Sequence, residues 1–170
     1  SNGKTTTTAL TYHICKEGGL DCALVGNIGD SFARQVAVAP KPFYVVEVSS
    51  FQLDDIKTFR PDIAILTNIT EDHLDRYDYN FENYIRSKFR ITMNQQPGDT
   101  FIYCADDEVT MKYIDQFNIQ SNQLPISMKR DLPNGAFIKD CDMYVRTGQD
   151  FTTMSVYDFA LKGKHNYYNT

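Results

Sequence analysis

SNGKTTTTALTYHICKEGG, residues 1–19, opens with a glycine and a lysine and runs through four threonines into a helical pattern. A glycine lets backbone N–H groups approach phosphate oxygens, a following lysine offsets β/γ-phosphate charge, and the next hydroxyl suits Mg²⁺. A helix over 5–16, closed by Gly18 and Gly19, points the positive end of its dipole at the same place. Ser1, Asn2, Gly3, Lys4, Thr5 and Thr6 are therefore candidate nucleotide contacts. Only the second half of Gly-x-x-x-x-Gly-Lys-[Ser/Thr] is present, so the competing reading is an ordinary helix N-terminus. The threonine run ahead of a helical pattern favours the phosphate loop.

Outward from this stretch, apolar runs alternate with helical segments. CALVG at 22–26 reads as a short buried strand and 30–38 as a helix. FYVVEVS at 43–49 and DIAILTN at 62–68 are β-branched strands of the kind a parallel sheet buries on two faces. A short helix fits 51–59, ending before Pro61. A clearer helix spans 80–94, stopped by Pro97-Gly98; TFIYC at 100–104 is a strand and 107–117 a helix. Short strands follow near 124–128, 135–139, 142–147 and 151–159, with Pro133-Asn134-Gly135 as a turn signal. The pattern predicts an α/β fold of phosphate-loop type: a mostly parallel sheet flanked by helices, with antiparallel hairpins toward the C-terminus.

Composition removes several classes. A chain of 170 residues that is 42% hydrophobic suits one globular domain. The net charge of −5 and scattered basic residues argue against a nucleic-acid surface. No apolar run reaches bilayer length and no signal peptide opens the chain, so a cytoplasmic protein is expected. Cys15, Cys22, Cys104 and Cys141 form no CxxC pair and read as reduced structural thiols.

Polar residues at strand ends carry the next argument. Asn27, Glu47 and Asn68 each fall at the carboxyl end of an expected parallel strand, the edge where open α/β sheets bind ligands. Glu47, inside VVEVSS, is costly to bury unless it meets a cation; Mg²⁺ beside a phosphate loop is one partner and a lysine salt bridge the other. His73 lies in the acidic stretch TEDHLDRY at 70–77, where it is either a metal ligand or a structural histidine. In the helix at 80–94, Lys88 falls on or beside the apolar stripe of Phe81, Tyr84, Ile85 and Phe89. Such a lysine either snorkels out or is buried with a task, and residue physics alone favours snorkelling.

Taken together, these segments resemble the Mur ligase family. The likeness covers almost the whole chain: SNGKTTT at 1–7, GNIG at 26–29, EVSSFQL at 47–53, NITEDHLDRY at 68–77, the lysine of SKFRI at 87–91 and GKHNYYN at 163–169. GNIG, SSFQL and DHLDRY are most similar to the member that adds D-glutamate. The resemblance implies a central ATP-binding domain over 1–170, between a UDP-binding domain and a C-terminal domain that this chain does not include. It implies ATP-driven joining of D-glutamate to UDP-N-acetylmuramoyl-L-alanine through an acyl phosphate, by a monomer in the bacterial cytoplasm.

By the same likeness, Lys4 contacts the β/γ-phosphates and Thr5 the first of two Mg²⁺ ions. Glu47 binds magnesium near the γ-phosphate, His73 the second ion, and Lys88 supports that ion as a carbamate. Asn27, Ser50 and Gln52 face the phosphates or the muramoyl substrate, and Asn166 and Asn169 lie on the adenine side. The isolated chain is expected to be inactive. The alternatives are another Mur or folylpolyglutamate-synthase-like ligase, or a phosphate-loop switch ATPase. A switch ATPase calls for an aspartate after the apolar strand, where this chain has Glu47 followed by SSFQL.

Overall fold

The computed structural model describes residues 1–170, except for the side chains of residues 164 and 165. Helix α1 (Lys4–Glu17) leads into β1 (Cys22–Gly26), α2 (Phe32–Val38), β2 (Phe43–Glu47) and α3 (Ser50–Asp54). Next come β3 (Ile63–Leu66), α4 (Phe81–Phe89), β4 (Thr100–Cys104) and α5 (Glu108–Tyr113). Four strands follow, β5 (Asn122–Ser127), β6 (Gly135–Lys139), β7 (Asp142–Thr147) and β8 (Asp150–Ser155), before a last turn of helix, α6 (Lys164–Tyr167).

The α/β class holds. Strands β3 to β6 lie parallel, in chain order, within a six-stranded sheet that β7 and β8 complete in antiparallel pairing. Two expectations are corrected. The strands at 43–49 and 62–68 are not both buried on two faces: β1 and β2 form their own parallel pair, and β2 does not hydrogen-bond to β3. Burial along β3 alternates, with Ala64 and Leu66 on the core face and Ile63 and Ile65 exposed on the other, and Phe43 at the start of β2 is exposed as well. The turn at Pro133-Asn134-Gly135 closes no hairpin. It delivers β6 parallel to β5, in a short register of Ile126 with Ala136 and Ser127 with Phe137.

Helix α4 and its surroundings matter most for the site. Asn80 caps its start through Oδ1 to the Glu82 N–H, and its inner face buries Tyr84, Ile85 and Phe89. Phe89 stacks on Phe117 at 4.2 Å between ring centres and sits beside Phe101 of β4, joining the core that includes Ala64 and Leu66 of β3. Polar bonds lock α3 to the same helix: Ser87 Oγ donates to the Ser50 carbonyl (3.0 Å), and Arg90 donates to the carbonyls of Leu53 (2.7 Å) and Ile56 (3.0 Å). An arginine on the last carbonyls of a helix satisfies orphan acceptors and complements the dipole. Lys88 thus rides on a segment with little freedom to move.

Gly135 has φ +100°, and a Cβ there would lie 1.9 Å from the Pro125 carbonyl oxygen. Both the left-handed backbone and the contact forbid a side chain. Gly135→Ala is expected to destabilise by roughly 2 kcal/mol or more, seen as a lower urea midpoint at unchanged slope. An unchanged midpoint contradicts the β5–β6 packing described here.

Candidate functional site

The phosphate-loop segment forms as its residue types predict. Gly3 sits at the N-cap of α1 with φ +85°, a conformation open to glycine, and Thr7 N–H donates to the Gly3 carbonyl at 2.9 Å. Among the described residues no side chain caps this helix end, so its first N–H groups remain available to an anion. Lys4 folds back over the loop, its Nζ 2.9 Å from the Ser1 carbonyl and 3.1 Å from Ser1 Oγ. Thr5 is exposed and Thr6 half-buried at the open start of the helix. Asn169 reaches the loop from α6: its Oδ1 lies 3.4 Å from Thr7 Oγ1 and abuts Gly3, where a Cβ would come within 2.2 Å of it. Asn166 stands beside it, with Asn169 Nδ2 3.4 Å from Asn166 Oδ1.

The carboxyl ends of the strands bring a second group to the loop. Glu47, the last residue of β2, is 3% exposed. Asn27 donates to it twice, from Nδ2 to Oε1 at 2.8 Å and from the backbone N–H to the Glu47 carbonyl at 2.8 Å. The other carboxylate oxygen, Oε2, is buried without a hydrogen-bond partner among the described residues. A buried acceptor carrying charge is costly to leave unsatisfied, and it marks a place where a cation fits.

Lys88 does not snorkel. It is 5% exposed, with Nζ 3.3 Å from Ser1 Oγ and 5.1 Å from the centre of the Tyr84 ring. Burial, and then the neighbouring positive charge of Lys4, push its pKa down to about 8, against the pull of Asp72, Asp54 and Glu47. Lys4 and Lys88 therefore converge on one serine, and Glu47 lies close enough to Lys88 to act on its charge.

The remaining candidates are placed less uniformly. His73 adopts a left-handed backbone (φ 50°), keeps its ring largely in solvent, and meets Phe51 edge-on at 5.2 Å and Asp72 Oδ1 at 3.5 Å. Gln52 caps its own helix: Oε1 accepts from Ser49 N–H (2.8 Å) while Ser49 Oγ accepts from Gln52 N–H (3.3 Å), a capping box. Ser50 is buried, its carbonyl taken by Ser87. Among the described residues, no three of His, Cys, Asp and Glu gather as a metal cluster. A cation here would rest on Glu47 together with a hydroxyl such as Thr5, the hard oxygen donors that Mg²⁺ prefers.

Sequence reasoning passed over two residues and left the task of a third open. Tyr84 was counted only as part of an apolar stripe, yet its ring lies under Lys88 and its Oη is 3.3 Å from the Ser1 nitrogen. Asp72 lies 3.7 Å from the same nitrogen. Asn68, placed at a strand end, turns out to grip the loop backbone at Asn2. The position of each could be read from the chain, but the partner lies 66 or more residues away.

The model of the Mur ligase middle domain matches residues 1–170, and the chain belongs to that family. A UDP-N-acetylmuramoylalanine–D-glutamate ligase of Christiangramia forsetii is 50% identical over 98% of this chain. One of Bacteroides fragilis is 47% identical over all of it. The chain spans 37% and 38% of the length of these two relatives. Among solved structures, UDP-N-acetylmuramate:L-alanyl-gamma-D-glutamyl-meso-diaminopimelate ligase from Neisseria meningitides aligns with TM-score 0.67 at 16% identity, over 99% of this chain and 56% of that one. MurF ligase from Thermotoga maritima, in complex with ADP, aligns with TM-score 0.60 at 18% identity, over 91% of this chain and 38% of that one. At these identities the structures speak for the fold.

The depressed Lys88 pKa has a testable sign. Between about 8 and the ordinary 10.5 the unfolded chain holds a proton that the folded chain does not, so stability rises with pH across that window. Lys88→Met in CO₂-free buffer is expected to raise stability at pH 7 by roughly 2 kcal/mol, with the gain shrinking toward pH 10. Denaturant titrations at several pH values measure it. A difference that stays flat with pH contradicts a buried amine.

Proposed function

We propose that this chain is the ATP-binding catalytic core of a cytoplasmic, monomeric ligase that joins D-glutamate to UDP-N-acetylmuramoyl-L-alanine. The observation that carries the reading is the pairing of a loop lysine with a buried lysine on Ser1, beside a buried carboxylate with one unsatisfied oxygen. The likeness of this chain, along nearly all of its own length, to a part of ligases of that name supports the choice of substrates. The ADP in the Thermotoga maritima relative supports the nucleotide.

In this reading Lys4 unfolds from Ser1 onto the β/γ-phosphates, and the uncapped N–H groups of α1 bind their oxygens. Transfer of the γ-phosphoryl to the muramoyl-alanine carboxylate makes an acyl phosphate and ADP. The D-glutamate amine then attacks the acyl carbon and phosphate leaves. Both steps crowd negative charge, so positioning and neutralisation are what the protein contributes. Glu47 Oε2 and Thr5 would hold magnesium, which supplies charge neutralisation at the phosphates when bound. Asn27 orients Glu47, and Asn166 and Asn169 flank the nucleotide from α6. Asn27 and the α3 start, with Ser50 and Gln52, face the muramoyl substrate.

Lys88 is read as a carbamate in the working enzyme. A buried amine with pKa about 8 is part neutral at pH 7.5, and neutral amines add CO₂. The product is an anion, which would relieve the clash with Lys4 and, with His73, suit a second magnesium ion. Full-length protein equilibrated with ¹³C-bicarbonate is expected to give a carbamate carbon resonance that Lys88→Ala removes. A spectrum that Lys88→Ala leaves unaltered contradicts the modification.

The activity test is phosphate release by the full-length protein with UDP-N-acetylmuramoyl-L-alanine and ATP. D-Glutamate, L-alanine, a diamino acid and D-alanyl-D-alanine are offered in turn. Release with D-glutamate alone is expected, with Glu47→Ala and Lys88→Ala lowering kcat by a hundredfold or more, on the order of a lost charge contact to the transition state. ATP turnover that ignores every amino acid favours a switch ATPase instead.

A further inference from the structure

A phosphate loop works only if its backbone N–H groups are aimed before the nucleotide arrives, because flexible donors spend binding energy on being ordered. Here the loop turns at Gly3, a residue that restrains nothing by itself, and α1 has no side-chain cap. Beside the contacts of Ser1 and Asn169, a two-sided restraint comes from the end of β3. Asn2 N–H donates to Asn68 Oδ1 at 2.8 Å, Asn68 Nδ2 donates back to the Asn2 carbonyl at 2.8 Å, and Thr67 Oγ1 donates to that same carbonyl at 2.9 Å.

One carboxamide thus pairs with both polar groups of a single loop residue, as a neighbouring strand would. The side-chain orientation is fixed by chemistry, since the N–H of Asn2 needs an oxygen and its carbonyl needs a donor. Asn68 is itself held in place. The next residue, Ile69, is 1% exposed, and its N–H donates to Asp107 Oδ2 at 3.2 Å. Asp107 also caps α5 through Thr110 N–H at 2.9 Å and accepts from Thr110 Oγ1 at 2.6 Å. A continuous set of bonds therefore runs from α5 through the β3 end to the phosphate loop.

We propose that Asn68 is a positioning residue for the nucleotide: it clasps Asn2 from both sides and sets the loop geometry that Lys4 and α1 use. Thr67 serves the same clasp with one bond. The proposal rests on the nucleotide reading of the loop. It requires a carboxamide: an aspartate accepts from Asn2 N–H but turns its second oxygen on the Asn2 carbonyl, and an alanine offers neither bond.

The test is MgADP binding by calorimetry on the full-length protein, with steady-state constants and thermal midpoints alongside. Asn68→Asp and Asn68→Ala are expected to raise the MgADP Kd and the KM for ATP about tenfold or more, and Thr67→Val about threefold, as loss of two bonds and of one implies. The KM values for the other two substrates and the thermal midpoint are expected to stay near wild type. Wild-type binding that Lys4→Ala weakens checks the nucleotide reading separately, and no wild-type binding removes both ideas. With the Lys4 result in place, wild-type affinity in Asn68→Asp and Asn68→Ala overturns the clasp. So does a loss spread evenly over all substrates and the thermal midpoint.

Discussion

An unsatisfied carboxylate oxygen on Glu47 and a buried amine on Lys88 lie close enough for one charge to act on the other without pairing, and the rest of the site is arranged around that tension. Either group alone would be expelled to water or quenched by a partner. The frame that prevents this is ordinary packing. Strand β2 ends on Glu47, Asn27 holds one of its oxygens, and α4 is bolted to α3 by Ser87 and Arg90 so that Lys88 faces inward. A core of stacked aromatics, Phe89 on Phe117 above β4, supplies the stability that such a costly arrangement draws on.

The two lysines explain each other. Lys4 must be cationic to meet phosphates, and its charge is the second cause, after burial, of the low Lys88 pKa. Burial and one fixed cation together leave the other amine partly neutral near pH 8, in the form able to react with CO₂ or to accept a proton. Ser1 Oγ stands between them and bonds to both. One hydroxyl thus bridges two amines of like charge.

Much of this was legible in the chain, and the limits have physical causes. GKTTTT predicted the loop and α1 because glycine, lysine and hydroxyls at that spacing answer to phosphate geometry. Glu47 was legible because an acid inside an apolar strand demands a cation. Lys88 was not settled by helical periodicity. A lysine on the stripe can reach solvent or stay in, and the outcome depended on Ser87 tying α4 to α3 and on Ser1 meeting the amine, contacts 37 and 87 residues away in the chain. Gln52, read as a substrate contact, also caps its own helix, a bond the Ser-x-x-Gln start offers locally and the sequence reading did not name. The turn at Pro133-Asn134-Gly135 looked like a hairpin because the same residues serve any reversal, and only the close approach of Gly135 to Pro125 reveals the parallel pairing. The clasp of Asn68 on Asn2 joins residues 66 positions apart, beyond what local pattern can report.

The central claim is that Glu47 keeps its buried oxygen for a divalent cation at the nucleotide phosphates. Crystals of the full-length protein grown with a non-hydrolysable ATP analogue and Mn²⁺ test it through the anomalous signal of manganese. The account predicts an anomalous peak in bonding contact with Glu47 Oε2 and the Thr5 hydroxyl, absent in Glu47→Gln. A nucleotide bound at the loop with manganese elsewhere, and Glu47 still unpaired, would contradict it.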